Sequence, residues 1–304
     1  MRIKVLGAAA GGGLPQWNCA CTNCSTVRNN QPNIRTRRQS QLAVSAEPES
    51  WFLINASPDL REQLLDSPEL HPNSANGLRN TPVAGVILTS ADLDHVLGLL
   101  LMREFTPVRI YATHPVMSTL KRNSFFQMLD RLPGQSRWTT IESGVSFHAG
   151  ENLICTPIAL SSTFPAYVRE EDRSDLDSTG ATIGIILEEV HGFRVAYLPA
   201  LPFVSPSLKE LLSTCSAILI DGTFWSDDEL QSIQPGTPLA RSMGHVPISG
   251  QNGSLATLSD LNGVRRIYTH INNTNPILNE QSSERRQVED AGWEVAWDGL
   301  EIMI

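Results

Sequence analysis

The sequence predicts an α+β protein, β-sheets covered by helices, from three observations. Short β-rich runs recur along the chain, helical segments fall between them, and several strands end abruptly in polar residues. The runs read as strands at 3–6, 41–45, 51–55, 85–88, 109–112, 183–187, 194–198, 217–220, 266–269 and 294–296. Helices are expected over 57–65, 96–103, 115–128, 206–213 and 283–291. At 304 residues the chain is near the size at which one core stops growing. It reads as a single domain over 1–304 made of two β/α halves, divided near 130–150, where Leu132, Pro133 and Gly134 and then Ser143 and Gly144 interrupt the pattern.

Composition narrows the function classes. With 41% hydrophobic and 18% charged residues, no tract is biased enough to stay unfolded. A net charge of −9 argues against nucleic acid, because neutralising phosphates needs a clustered basic surface. The basic cluster Arg35, Arg37 and Arg38 reads as a solvated strand edge or turn, or as an anion contact for a carboxylate-bearing substrate. The N-terminus lacks a signal-like apolar run and no later stretch has the length of a membrane span, so a soluble cytoplasmic protein without membrane insertion is expected.

Residues 86–89 read as a buried strand, after which Ser90, Asp92, Asp94 and His95 precede an apolar helix. Alternate positions of an extended loop point the same way, so Asp92 and Asp94 are expected to converge, with His95 joining as the helix begins. Oxygen and imidazole donors suit a divalent transition metal. A helix N-cap would explain one acidic residue but leaves the second aspartate and the adjacent histidine without a purpose.

This segment resembles the His-x-His-x-Asp-His motif of metallo-β-lactamase-fold hydrolases, with Ser90 and Asp92 at the places of the two histidines and Asp94 and His95 matching. The resemblance implies an αββα sandwich, two packed β-sheets flanked by helices. It also implies two metal sites. The first two motif histidines and a later third hold one metal; the Asp-His pair and a C-terminal strand-end histidine, here His270, hold the other. The carboxylate that bridges the metals follows a strand ending in Tyr-Leu, yet Tyr197, Leu198 and Pro199 lead here to Ala200, and no convincing third histidine follows the strand near Leu160. The first site thus reads as dismantled and the second as retained. Losing the bridge weakens a mechanism that holds hydroxide between paired ions. Asp94, His95 and His270 leave the two-histidine, one-carboxylate ligand set of non-haem Fe(II) oxygenases, although zinc or manganese fits the same donors. Asp92 reads as an extra ligand or a base.

Cys19, Cys21 and Cys24 follow a glycine-rich turn at 11–13. Three of five cysteines within six positions is metal spacing, not a disulfide framework, and such thiolates can share a structural Zn²⁺. No Gly-Lys-Ser/Thr follows the glycines, so they read as a tight turn. The cysteine pattern resembles cyclic phosphodiesterases of the same superfamily, in which a histidine three residues beyond the C-terminal metal histidine completes the zinc. That position is Asn273, which leaves Asn273, water or another group as the fourth ligand. Cys155 and Cys215, in apolar contexts, read as core thiols.

His245, in a glycine-flanked loop, reads either as an acid/base or supporting residue or as a loop residue. Asp221 ends an apolar strand and is a poor core residue, so it is expected to face the pocket; the alternative is a turn-forming Asx hydrogen bond. His71, His114, His148 and His191 lack acidic or histidine neighbours at ligand spacing and read as structural or exposed.

Over essentially its whole length, through the segments at 11–19, 90–95, 221–225 and 269–276, the chain resembles the pyrroloquinoline-quinone (PQQ) biosynthesis B family. That resemblance implies a role in making PQQ from a peptide-derived Glu–Tyr unit, by iron- and O₂-dependent hydroxylation of the tyrosine ring, beside other PQQ-biosynthesis proteins. Asp94, His95 and His270 would then hold Fe(II), and His245 or Asp221 would manage protons. The family has also been described as assisting transport of the cofactor or its precursor, so a carrier without chemistry is the rival. A divergent zinc hydrolase is disfavoured by Ser90 and Ala200. Self-association into a homo-oligomer is left open.

Overall fold

The computed structural model describes residues 1–104, 106–173, 178–190 and 192–303; His191 lies outside them. In chain order the strands are β1 (Arg2–Gly7), β2 (Gln41–Glu47), β3 (Ser50–Ile54), β4 (Val83–Ile87), β5 (Val108–Ala112), β6 (Ser136–Thr140), β7 (Phe147–His148), β8 (Leu153–Ser161), β9 (Thr182–Glu189), β10 (Arg194–Leu198), β11 (Ala217–Asp221), β12 (Arg265–Thr269), β13 (Trp293–Val295) and β14 (Glu301–Met303). The chain forms two compact units, one of residues 1–6, 41–192 and 299–304, the other of 7–40 and 193–298. The expected divide near 130–150 is therefore displaced. Those residues sit inside the first unit, where β6 pairs in parallel with β5 from Val108↔Ser136 to Ala112↔Thr140.

In the first unit seven strands hydrogen-bond in the order β14-β1-β2-β3-β4-β5-β6. β2 and β3 form an antiparallel hairpin, β3 to β6 run parallel, and β7, β8 and β9 pair antiparallel with one another. Leu53, Val86, Leu88 and Ile110 are wholly buried in one core, as expected of parallel strands covered on both faces. In the second unit β10, β11, β12 and β13 are parallel, with Leu198 beside Ile220 and Asp221 beside Thr269. All four strands thus end near one edge. The C-terminal ends of such strands are where polar loops collect.

Helix bounds depart from the expectations for local reasons. The helix expected over 115–128 is His114–Arg122 followed by a 3₁₀ turn at Phe126–Asp130. Asn123 is extended there and its side chain accepts the Phe125 N–H at 3.0 Å, an alternative to the helical bond. The helix expected over 96–103 instead starts at Leu93 and tightens to 3₁₀ over Leu97–Met102. Gly98 is pressed against the chain at Ala56 and Ser57, where a Cβ would come within 2.3 Å of Ser57 O. Pro206–Ser213 matches its expectation, with Pro206 in the first turn and Ser205 Oγ accepting Leu208 N–H at 3.1 Å. No helix among the described residues is long and apolar enough to cross a membrane.

Candidate metal centre

In the first unit the chain leaves β4 through Leu88 and Thr89 into Ser90. Asn55, at φ +68, a left-handed conformation asparagine tolerates, accepts both the N–H and the hydroxyl of Thr89 at 2.9 and 3.0 Å. The N–H of Ile183 donates to Thr89 O at 2.8 Å from the other side. The segment is thereby held on rigid strands.

Helix Leu93–Val96 begins immediately, so the alternation expected to bring Asp92 and Asp94 together ends at Asp92. Asp92 occupies the N-cap position, but its side chain caps no N–H. It accepts the Ser90 hydroxyl at 2.7 Å instead. Having given its proton to Asp92, Ser90 Oγ accepts from His95 Nδ1 at 2.8 Å. That fixes the tautomer, leaving Nε2 of the buried His95 with the lone pair a metal needs. Nε2 lies 3.8 Å from Asp94 Oδ2. Ligands of one ion stand roughly 3–3.5 Å apart, so a small turn of the Asp94 carboxylate suffices for both to bind. Ser90, which reads in the sequence as a lost ligand, is in the fold the link by which Asp92 orients His95. The Tyr167 hydroxyl donates to Ala91 O at 2.5 Å, and burial, with the charge of Asp92, pushes this phenol's pKa up.

In the second unit Asp221, at the end of β11, has no exposed surface. Oδ2 accepts the Leu201 N–H at 2.8 Å and His245 Nδ1–H at 2.7 Å, while Oδ1 accepts the Thr223 N–H at 2.9 Å and its hydroxyl at 2.6 Å. A carboxylate offers about four lone-pair sites, and all are used. The expectation that Asp221 faces a pocket is corrected: it is fully buried among four donors, and its work is to hold His245. The contact to Thr223 N is also the Asx turn weighed above. Asp221, His245 and His270 lie close enough to form a donor group, but Asp221 has no lone pair left for an ion.

Thr223, which sequence reasoning passed over, is the hub of this arrangement. Its hydroxyl has Asp221 Oδ1 at 2.6 Å and His270 O at 2.8 Å to donate to, and its oxygen accepts from His270 Nδ1 at 2.9 Å, so His270 also presents Nε2. His270 sits at φ +54, a conformation costing about 1–3 kcal/mol for such a residue and one that collects at functional sites. Its ring stacks on His245 with centroids 5.5 Å apart. Gly222 lets the chain lie flat here, since a Cβ would come 2.9 Å from Tyr268 Cβ. The only warning in the sequence was a small hydroxyl two residues beyond a buried aspartate at a strand end.

Cys19, Cys21 and Cys24 bring their sulfurs within 4.8 Å of one another, as three ligands of one zinc require. Asn273 Nδ2 stands 3.2, 3.6 and 3.3 Å from the sulfurs of Cys19, Cys21 and Cys24. Turning that amide over presents Oδ1 to the same point, which fits Asn273 as the fourth ligand. Burial pushes the Cys21 thiol up to about 11; at Cys19 burial acts the same way but is outweighed by hydrogen bonds from Cys21, Cys24 and Asn273, and the thiol is lowered. Asn23 Nδ2 donates to Asn273 O and Asn275 O at 3.0 and 2.9 Å, tying this knuckle to the loop after His270. Cys155 and Cys215 are buried, while His71, His114 and His148 are exposed.

A family model described as the beta-lactamase superfamily domain matches residues 50–271. Coenzyme PQQ synthesis protein B of Methylobacterium sp. (strain 4-46) is 41% identical over 304 residues, covering 100% of both chains. The crystal structure of Zn²⁺-bound PqqB from Methylobacterium extorquens superposes with a TM-score of 0.93 at 38% identity, again over 100% of each chain. A diphosphatase of the PhnP family, at 18% identity and TM-score 0.67 over 100% of this chain and 97% of its own, shares the fold. The fold is that of the metallo-β-lactamases, as the motif at 90–95 implied.

Proposed function

Because the chain belongs to the coenzyme PQQ synthesis protein B family within the β-lactamase superfamily, we propose that it works in PQQ biosynthesis as a hydroxylase of the tyrosine ring in a peptide-derived Glu–Tyr precursor. One observation carries this reading. The hydrolytic ligand set is broken at Ser90 and Ala200, and Ser90 now steadies His95 instead. Asp94, His95 and His270 supply the ligands of the reactive metal in this reading. Fe(II) held by such a set would supply redox chemistry with O₂.

The chain's own residues supply orientation and proton handling. Ser90 and Thr223 each accept an Nδ1–H, directing the Nε2 lone pairs of His95 and His270 to the metal. His245 donates Nδ1–H to Asp221, which makes Nε2 the basic nitrogen of the neutral ring and suits it to act as a general base toward the substrate phenol or ring. Asp221 stabilises the imidazolium that forms, as a positioning residue. The cysteines and Asn273 hold a structural zinc, a reading supported by the Zn²⁺-bound relative, and brace the loop after His270. The protein acts in the cytoplasm, receiving its substrate from and passing its product to other PQQ-biosynthesis proteins.

The test is direct. Anaerobically purified protein loaded with Fe(II), given reductant, Glu–Tyr and then O₂, is expected to yield a product heavier by oxygen, and His95→Ala and His270→Ala to yield none. Unchanged Glu–Tyr alongside peptide or phosphodiester hydrolysis would overturn the hydroxylase. Normal PQQ output from cells carrying both alanine variants would favour a carrier.

A further inference from the structure

The cluster Arg35, Arg37 and Arg38 is not absorbed by the chemistry above. Its middle residue is 3% exposed, yet it lines a cavity of about 370 Å³ in the second unit with Arg35, Glu280, Arg285, Glu289 and Trp297. Two of these arginines already have carboxylate partners: Arg35 Nε meets Glu280 Oε1 at 2.9 Å, and Arg285 Nε meets Glu289 Oε1 at 2.6 Å. Arg37 does not. Its Nε donates to Ala296 O at 3.0 Å and its Nη1 to Arg35 O at 3.3 Å, both main-chain carbonyls. Among the described residues none accepts from Nη2. Asp298, the charge that offsets it most, spends its oxygens on the N–H groups of Arg38 and Ala8, at 2.7 and 3.2 Å.

A guanidinium stays charged even where burial pulls its pKa down, here to about 10, and a buried cation satisfied only by carbonyls is costly. Asp298 and Glu280 offset part of this charge, and Arg285 and Arg35 add like charge to it. We propose that this cavity binds a small monocarboxylate with a planar apolar body, its carboxylate on the Arg37 guanidinium and its ring against Trp297. The fork of N–H groups matches a carboxylate. Glu280 and Glu289 at the rim oppose more highly charged anions. Trp297, 36% exposed, is the aromatic side chain in the lining, and the volume admits a single aromatic ring with its acid group. This inference is independent of the reaction proposed above.

Benzoate titrated into the ¹⁵N-labelled full chain tests it, with amide shifts as the readout so that binding here is separated from binding at the metal ligands. Shifts centred on residues 35–37, 280–289 and 295–297 are expected. Arg37→Gln should weaken the affinity about tenfold or more, and Trp297→Ala by a smaller factor. If Arg37→Gln does not fold, Arg37→Lys, which keeps the charge but not the fork, should still weaken binding several-fold. Shifts confined to residues 90–95 and 269–271, no saturable shifts, or equal affinity in the arginine variants would overturn the proposal.

Discussion

His95 in the first unit and His270 in the second are oriented by the same device, a hydroxyl that gives its proton to a carboxylate and accepts from Nδ1. Ser90 and Asp92 serve His95; Thr223 and Asp221 serve His270. The supports differ. Asp221 is fully buried with four donors, whereas Asp92 is partly exposed at a helix start. The second cradle is built into the sheet end, shares its carboxylate with His245, and adjoins the cysteine knuckle; the first is local to six residues. A buried hub makes geometry and stability one property, while a relay within one short segment, its carboxylate partly exposed, can tune a ligand with little effect on folding.

The largest expected effect concerns the knuckle. Cys24→Ser, or prolonged chelation, should destabilise the protein by several kcal/mol in urea unfolding and release one zinc, because metal binding free energy becomes folding free energy. A chain that loses zinc at unchanged stability would show that the knuckle does not support the second cradle. Next, Asp221→Ala strands four donors and should cost about 3–5 kcal/mol, whereas Asp92→Ala should cost no more than about 1 kcal/mol. Equal costs would erase the contrast between the cradles.

A third effect is a pH dependence. Burial raises the Glu229 carboxyl to about 7 despite hydrogen bonds from Thr274 Oγ1 and the Trp225 N–H, the latter at 2.6 Å. With the folded pKa above the unfolded one near 4.5, the folded state holds the extra proton between those values, so stability falls as pH rises from about 4.5 to 7 and then levels. The fall should be about 3 kcal/mol, and Glu229→Gln should flatten it. A wild-type stability that rises over this range would show that the clasp under the His270 loop prefers its charged form. The smallest effect is at Ser90. Ser90→Ala should weaken metal binding by about ten- to a hundredfold, measured by competition with a chelator, while leaving urea stability within about 1 kcal/mol. An unchanged affinity would mean that His95 needs no relay.

Much of this was legible beforehand because its signals are local. Strands such as 194–198 and helix 206–213 announce themselves through continuous apolar runs, a proline and a capping serine, and the structure places them at Arg194–Leu198 and Pro206–Ser213. β6 and β8 were not legible. β6 is polar at an edge of its sheet, and β8 carries Pro157 where β7, which pairs only with Ile154 and Cys155, no longer reaches. The cysteine knuckle could be read from spacing, and Asn273 could be nominated only by resemblance; the fold brings that amide to all three sulfurs from 249 to 254 residues away.

By itself, then, the sequence determined which donor types are present, that Ser90, Asp92 and Ala200 stand where the resembled hydrolases carry the first two motif histidines and the bridging carboxylate, and that thiols cluster at 19–24. Only the tertiary structure decided what the replacements do. Thr223 meets His245 and His270 across 22 and 47 residues, and a hydroxyl has no direction until its partners are placed. Spacing reports ligand identity; hydrogen-bond direction, tautomer and the burial of Arg37 and Asp221 belong to the packed chain.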